Sequence, residues 1–310
     1  MQATQKAFPK DFSGTLKIEH TRSLKKLSTF ERQSFVRPDC FDNNRNWYRL
    51  LDIEDSLTAV KITGSGFVIW GSHSPLTSKA IKTRVHQLVI PIELSDEAIA
   101  YLPKSLAENL KSLAPLVHIA SASLEEALIK AIIRQVITAG HAKKLIHRFI
   151  TRFGESYEYE GLVCYRFPTS ERILEIPLED LISCGLGFKA KLIKNIVEKL
   201  AKDGLREKLG NTPVSLTFEH LQEIKGIGRW TAHTALCDTT GDWSLYPFDD
   251  LAVRTWASKL WPNRNWPTDP EDFRKEWENL NGNYVGQVTF YLLALATLIS
   301  GRREHGDCRT

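Results

Sequence analysis

The residues best suited to chemistry are two glycines, Gly226 and Gly228, which flank Ile227 between two helical segments. Glycine tolerates a positive φ and has no side chain, so the pair permits a tight turn and close approach of another backbone. The unpaired amides that open the following helix can bind a phosphate oxygen, and Ile227 would fill the space between the helices. The alternative is a plain helix–turn–helix connection with a glycine C-cap.

Residues 226–232, Gly-Ile-Gly-Arg-Trp-Thr-Ala, resemble the hairpin of the helix-hairpin-helix DNA glycosylase superfamily, and are most similar to the bacterial 3-methyladenine DNA glycosylase II branch. The resemblance implies that the partner is double-stranded DNA containing a damaged base. It also implies which residues contact the DNA backbone. These are Gly226, Ile227, Gly228, Arg229 and Thr231.

Two aspartates, Asp249 and Asp250, follow a proline about two dozen residues beyond the hairpin glycines. In the superfamily, an aspartate that opens a helix here is followed three residues later by an aliphatic residue and then a basic one. Asp250, with Val253 and Arg254, fits that register. A fixed carboxylate would stabilise the positive charge that develops on the sugar and orient the attacking water. We therefore predict that Asp250 is catalytic and that Asp249 is a helix-capping or first-turn residue.

Trp230 stands where bifunctional members of the superfamily carry a lysine, two residues after the second hairpin glycine. That lysine forms a Schiff base with the abasic sugar. Its absence implies a monofunctional enzyme in which water is the nucleophile and no strand is cut. The indole could stack on the flipped base, with a preference for positively charged alkylated purines. The alternative role for Trp230 is helix packing.

Residues 131–144 resemble the helix–loop–helix that inserts a wedge into the duplex, and the resemblance assigns the wedge to Gln135 and Val136. A plug has a physical purpose because a flipped base leaves a gap in the stack. An ordinary buried helix is the alternative for Val136. A second glycine turn, residues 184–190, precedes a basic helix and could contact phosphate or simply cap that helix.

Two departures from the 3-methyladenine II pattern fall at the expected base pocket. Thr234 stands where that branch has an aromatic residue, and the last long helix opens with a sequence closer to the 8-oxoguanine branch. In that branch a glutamine and an aromatic residue read the base. The predicted pocket therefore contains Trp230, Thr234, Gln287 and Tyr291, with Phe290 as a further candidate.

The elements that must position these residues indicate an α+β protein. Short stretches rich in β-branched and aromatic residues predict strands at 14–19, 47–53, 58–63, 67–70 and 86–90, and residues 23–36 are predicted to be helical. From residue 96 onward the pattern has a helical period. We predict a β-rich domain over residues 1–114, corresponding to the TATA-binding-protein-like sheet of these families, followed by an all-helical glycosylase domain over 115–310.

Composition permits this interpretation. The 310 residues carry a net charge of only +4, which allows but does not require DNA binding. The five scattered cysteines indicate a reducing compartment rather than a disulfide framework. The apolar residues 290–299 are too few to span a bilayer. We expect a cytoplasmic, bacterial nucleoid-associated monomer with no metal, no organic cofactor and no membrane contact.

The sequence thus predicts a monofunctional glycosylase that flips a damaged, alkylated purine and hydrolyses its glycosidic bond. Two alternatives remain open: a glycosylase for oxidised purines, and a non-catalytic DNA-binding or lesion-sensing protein that kept the hairpin. Asp250 discriminates against the second, because a pure binder needs no carboxylate facing the sugar.

Overall fold

The structure is a computed structural model that describes residues 6–8, 12–17, 39–42, 44, 46–65, 67–202 and 214–306. The strands are β1 (Lys6–Ala7), β2 (Phe12–Lys17), β3 (Cys40–Phe41), β4 (Trp47–Ile53), β5 (Ser56–Ile62), β6 (Phe67–Ser72), β7 (Val89–Ile92), β8 (Leu116–Ile119), β9 (Ser156–Tyr159) and β10 (Leu162–Tyr165). The helices are α1 (Ser78–Leu88), α2 (Asp96–Ile99), α3 (Lys104–Leu113), α4 (Leu124–Arg134), α5 (Ala139–Phe153), α6 (Ser170–Glu175), α7 (Leu178–Leu181), α8 (Lys189–Lys202), α9 (Val214–Gln222), α10 (Arg229–Thr240), α11 (Leu251–Leu260), α12 (Pro270–Asn281) and α13 (Val285–Gly306).

Strands β2 to β6 form an antiparallel sheet in the order β2-β6-β5-β4-β3. The β4–β5 hairpin closes through Glu54 and Asp55, whose φ angles of 47° and 60° suit a tight two-residue turn. Helix α1 covers the sheet with Ile81, Val85 and Leu88, which recur at helical spacing and are buried. The predicted strand at 47–53 is confirmed.

The strand predicted at 86–90 is wrong, because most of that stretch belongs to α1. Thr77 caps the helix by accepting a hydrogen bond from the amide of Ala80. The helix continues to Leu88, and only then does β7 begin. The helix predicted at 23–36 lies outside the described residues.

The helical part of the chain packs around two cores. One core joins α4, α5, α8, α10 and the hairpin residue Ile227. The other joins α2 and α3 to α11, α12 and α13. Residues 96–113 therefore share a core with the C-terminal helices, and β7 pairs with β8 across the predicted boundary at 114/115.

The segment predicted to be all-helical also contains strands. Strand β9 pairs with β10 in an antiparallel hairpin and with β1 in parallel. Strands β9 and β10 are only four residues long, too short for their alternation to be distinguished from a helical pattern. The α+β class is confirmed, with helix and sheet more interleaved than the sequence indicates.

Residues Pro270–Ser300 include a stretch long and apolar enough to cross a membrane by length and composition alone. In this fold 56% of that stretch is buried. Val288, Leu292 and Leu295 lie in the second core, as expected for the central helix of a globular fold.

A buried network of charges joins the sheet to the helices. Arg49, on β4, is 1% exposed and pairs with Asp39 at 2.9 Å and with Glu126 of α4 at 2.5 Å. Lys130, one turn further along α4, lies 3.6 Å from Glu126 and 3.2 Å from Asp238 of α10. Burial lowers the pKa of Arg49, but Asp39 and Glu126 outweigh it and raise the pKa overall. Each charge therefore depends on a neighbour of opposite sign.

Glu126→Gln should destabilise the protein by about 3 kcal/mol, because it leaves Arg49 and Lys130 buried without a shared carboxylate. Chemical denaturation followed by circular dichroism would measure this. Glu108→Gln is the matched control, since Glu108 forms an exposed pair with Lys104 at 4.0 Å and should change stability by less than about 0.5 kcal/mol. Equal effects of the two substitutions would contradict a structural role for the buried network.

Candidate DNA-binding and catalytic site

Three helix ends meet at one place: the C-terminus of α4 and the N-termini of α10 and α11. The side-chain amide of Gln135, directly after α4, donates to Thr231 Oγ1 at 2.8 Å and to the carbonyl oxygen of Gly226 at 3.2 Å. The indole N–H of Trp230, on α10, donates to Asp250 Oδ2 at 2.5 Å. The predicted wedge, hairpin and carboxylate therefore form one connected site.

The two hairpin glycines are needed for different reasons. Gly226 has a φ of 96°, and a Cβ there would lie 2.6 Å from Leu192 Cδ1. Gly228 has an ordinary φ of −85° and is the N-cap of α10, with no side chain capping the helix. A Cβ on Gly228 would meet nothing within 4 Å. The backbone amides of Gly228 and of the first turn of α10 therefore remain open to an anion.

The other residues predicted to bind the DNA backbone differ in whether their polar groups are exposed. Ile227 is buried in the first core, and its amide donates to the carbonyl oxygen of Ile224 at 2.9 Å. Its side chain fills the space between the helices, as expected from the sequence, but its amide is engaged within the turn. Thr231 is buried, with its hydroxyl bonded to Gln135. Arg229 is exposed and lies 3.9 Å from Glu271.

Asp250 is itself the N-cap of α11, so the capping role predicted for Asp249 belongs to its neighbour. Asp250 Oδ1 accepts from the amide of Ala252 at 2.6 Å, and Oδ2 accepts from Trp230. The Arg254 guanidinium donates to the carbonyl oxygen of Asp249 at 3.1 Å, which fixes the turn before α11. Val253 is buried beneath it. The carboxylate is partly exposed and held in one orientation.

Arg134 and Tyr246 belong to the same neighbourhood, although the sequence analysis did not single them out. The guanidinium of Arg134 lies 5.7 Å from the centre of the Trp230 indole. Burial raises the pKa of the Tyr246 hydroxyl, the Asp250 charge adds to that effect, and Arg134 opposes it. Arg134 carries no motif signal, and only the packing of α4 against α10 brings it over the Trp230 indole.

Val136 has the geometry of an exposed plug. Its side chain is 93% exposed and its φ is 56°, a left-handed conformation that a β-branched residue rarely adopts. The alternative of an ordinary buried helix does not describe this residue, since α4 ends at Arg134. A strained, exposed valine between two anchored segments is compatible with the predicted wedge.

The second glycine turn, residues 184–190, contacts the C-terminus of α4 through Lys189. Lys189, at the start of α8, is 4% exposed, and its ammonium donates to the carbonyl oxygen of Ile133 at 2.7 Å. Burial lowers its pKa. The ammonium therefore caps the C-terminus of α4 just before Val136. The neighbouring Phe188 is largely exposed.

The remaining predicted pocket residues divide into two groups. Thr234 Oγ1 and Gln287 Oε1 are buried and make no hydrogen bond within the described part of the chain. Buried polar atoms are usually hydrogen-bonded, so these two are exceptions in the fold. Tyr291 is fully buried, and its hydroxyl donates to the carbonyl oxygen of Ile92 and accepts from the amide of Leu116. The pocket role predicted for Tyr291 therefore finds no support, because the side chain bridges β7 and β8.

Phe290 is also buried, with its ring 4.8 Å from that of Trp243. Among the residues that the structure describes, no group of three or more His, Cys, Asp or Glu side chains could hold a metal ion. The groups that the structure brings together are the oriented Asp250 carboxylate, the Trp230 indole, the Arg134 guanidinium and the uncapped N-terminus of α10.

Comparison with known proteins decides the family. A family model described as "HhH-GPD superfamily base excision DNA repair protein" matches residues 129–281. DNA-3-methyladenine glycosylase 1 of Schizosaccharomyces pombe is 30% identical over 186 residues, which are 54% of this chain and 76% of that protein. The chain belongs to the HhH-GPD superfamily. The resemblance stated from residues 226–232 and Asp250 is confirmed.

Other relatives agree with this membership. A DNA-3-methyladenine glycosylase of Bacillus subtilis is 30% identical over 175 residues, which span 54% of this chain but only 57% of the relative. The structure of a 3-methyladenine DNA glycosylase from Archaeoglobus fulgidus has a TM-score of 0.74 at 27% identity, covering 90% of this chain and 96% of the other. An 8-oxoguanine glycosylase/lyase of Clostridium acetobutylicum bound to double-stranded DNA shares the fold, with a TM-score of 0.67 at 19% identity over 90% and 93% of the two chains.

Val136→Gly should stabilise the folded protein by about 1 kcal/mol, because glycine adopts the left-handed backbone without steric cost. Val136→Ala keeps a Cβ at the same φ and should change stability less. Denaturant unfolding of the three proteins would measure both differences. A loss of stability in Val136→Gly would show that the valine is not held against its conformational preference.

Proposed function

We propose that this HhH-GPD protein is a monofunctional DNA glycosylase that flips a damaged, alkylated purine out of duplex DNA and hydrolyses its N-glycosidic bond. The observation that carries the proposal is the Asp250 carboxylate, fixed by the Trp230 indole beside the hairpin and the exposed Val136. Relatives named DNA-3-methyladenine glycosylase, at 27–30% identity, support the alkylated-base class.

Each part of the site has a task in this reaction. The uncapped N-terminus of α10 binds a backbone phosphate and anchors the strand. Val136 enters the gap left by the flipped nucleotide, which offsets part of the unstacking cost of a few kcal/mol. Asp250 faces the sugar, stabilises the positive charge that grows as the base departs, and orients the attacking water.

The nucleophile in the proposal is water, since Trp230 occupies the position of the lyase lysine. The product is an abasic site in an uncut strand. We further propose that the β2–β6 sheet corresponds to the TATA-binding-protein-like domain, that the protein acts as a monomer, and that it works in the bacterial cytoplasm at the nucleoid. These proposals rest on the family resemblance and the mild basic charge.

Asp250→Asn should lower the single-turnover rate of base release at least about 100-fold, because an amide cannot stabilise the sugar cation as a carboxylate does. Asparagine is as good an N-cap as aspartate, so α11 should remain folded. The substrates are duplexes bearing hypoxanthine, 7-methylguanine, 8-oxoguanine or a 3-methyladenine analogue, scored for free base and for strand cleavage.

Asp249→Asn is the matched control, because the Asp249 side chain makes no capping bond and its carbonyl oxygen, which accepts from Arg254, is kept in asparagine. Its rate should stay within a few-fold of wild type. Release by wild type with the abasic strand left intact supports the monofunctional proposal. Binding without release of any base, unchanged in Asp250→Asn, would contradict it and favour a non-catalytic DNA-binding protein.

Gly228→Val should weaken binding to damaged and undamaged duplexes by the same factor, about tenfold, because the side chain would stand where the phosphate approaches. Valine is a poorer N-cap than glycine, but the open surroundings and ordinary φ predict only a small fall in melting temperature. Gly226→Val, in contrast, should lose stability, since it forces a branched residue to a φ of 96° against Leu192. Fluorescence anisotropy and thermal melting distinguish the two. A Gly228→Val defect confined to one lesion would contradict phosphate binding.

A further inference from the structure

The exposed face of helix α5 is basic. The helix contains four lysine and arginine side chains and no aspartate or glutamate, whereas the whole chain has a net charge of only +4. His141, Lys144 and Arg148 are exposed, and their spacing places them within about 60° of one another around the helix axis. A surface of one sign with no acidic residue on its own helix attracts a polyanion.

Neighbouring elements do not neutralise this face either. Arg152, one turn further along α5, pairs with Asp180 at 2.9 Å and so does not belong to the unpaired surface. Lys144 and Arg148 form no ion pair with any residue in the described ranges. The Arg148 guanidinium donates to the carbonyl oxygen of Cys184 at 3.1 Å. That contact is with a neutral group and uses one of five N–H donors, so the others are left for a ligand.

The second glycine turn connects this basic face to the hairpin. On one side, Gly185 lies against α5, because a Cβ on it would be 3.2 Å from Arg148 Nη1. On the other side, Leu192 of α8 packs against the hairpin, since its Cδ1 would lie 2.6 Å from a Cβ on Gly226. Phe188, in the segment between these contacts, is 73% exposed. The surface between the hairpin and α5 is therefore open to a large ligand.

The position of α5 suits the backbone of the strand opposite the damaged base. In the proposed function, the hairpin and Asp250 engage the damaged strand, and Val136 enters the stack between the two backbones. The opposite backbone then passes on the side of Val136 away from the hairpin. Helix α5 begins at Ala139, three residues after Val136, and packs against α4 and the second glycine turn. From His141 to Arg148 it rises about 10 Å, the axial rise of about three nucleotides in one strand.

We propose that the basic face of α5, formed by His141, Lys144 and Arg148, binds phosphates of the DNA strand opposite the damaged base. The proposal rests on the proposed function in one respect, because that function assigns the damaged strand to the hairpin. The hairpin and α5 then hold the two backbones on either side of Val136. A duplex held on both strands cannot move away from the wedge when the base is flipped.

Lys144→Gln tests whether this face binds phosphate. It should weaken binding to a duplex bearing hypoxanthine about fivefold at 0.15 M salt, and reduce the slope of log affinity against log salt by about 0.9. Fluorescence anisotropy over a salt series measures both, in the Asp250→Asn background so that no base is released meanwhile. Lys104→Gln is the matched control, because it removes the same charge from the exposed surface of α3. An equal loss in Lys104→Gln would overturn the proposal.

Neutral phosphate analogues identify the strand. Windows of three consecutive methylphosphonates are moved along each strand around the lesion. In one window of the opposite strand, Lys144→Gln should cause no further loss of affinity, because its partner is already neutral. In every window of the damaged strand the fivefold loss should remain. Gly228→Val should show the reverse pattern, with its loss removed only in the damaged strand.

The outcomes separate this proposal from the proposed function. A Lys144→Gln loss that disappears only in a damaged-strand window, or in no window, would overturn the role of α5. Base release by the otherwise wild-type protein would then still support the glycosylase. Conversely, the expected strand pattern without release of any base would support the role of α5 and contradict the glycosylase.

Discussion

The packing of α4 along α10 is the constraint on which the site depends. Gln135 and Val136 directly follow α4, the hairpin and Trp230 open α10, and Trp230 bonds to Asp250 at the start of α11. At one end, Lys130 of α4 pairs with Asp238 of α10, and Glu126 links α4 to Arg49 of the sheet. At the other end, Gln135 reaches Thr231 and the hairpin turn. A helix advances 1.5 Å and 100° per residue, so a slip of one position would separate the wedge from the hairpin and the guanidinium from the indole. Charges at one end and an amide at the other fix that register more specifically than apolar contacts alone can.

Asp250 combines a helix-capping role with the catalytic role proposed for it. One carboxylate oxygen caps α11, and the other accepts from Trp230, so the group has little freedom to rotate. The N-terminus of a helix favours a negative charge, so a carboxylate suits this position in the fold. Orientation that already exists in the free protein need not be created during the reaction, and this is the condition under which electrostatic stabilisation is most effective. Helix capping and catalysis are therefore compatible roles for this residue.

The sequence predicts those parts of the site whose signals are local. Gly226 and Gly228 predict a tight turn. Asp250 follows a proline and is itself followed, three residues later, by the aliphatic Val253 and the basic Arg254, as in the superfamily pattern. Arg134, Tyr246 and Lys189 could not be found in this way, because their roles arise from contacts between helices distant in sequence. The pocket role predicted for Tyr291 also depended on a contact that the sequence does not reveal. Its position near the start of α13 indicated a pocket residue, but its hydroxyl bonds to β7 and β8. The short strands β8 to β10 depend on pairing partners that no local pattern reveals.

The strained backbone conformation of Val136 follows from the contacts that fix the chain segments before and after it. Lys189 fixes the carbonyl oxygen of Ile133 before it, and Gln135 is bonded to α10 and the hairpin, so the chain must turn at Val136. On the other side, Thr138 caps α5 through its hydroxyl. In this left-handed conformation the Val136 side chain is 93% exposed. Burial of a valine side chain is worth about 1.5 kcal/mol or more. In the free protein that stabilisation is withheld, and in the proposed function the opened base stack of a bound duplex supplies it.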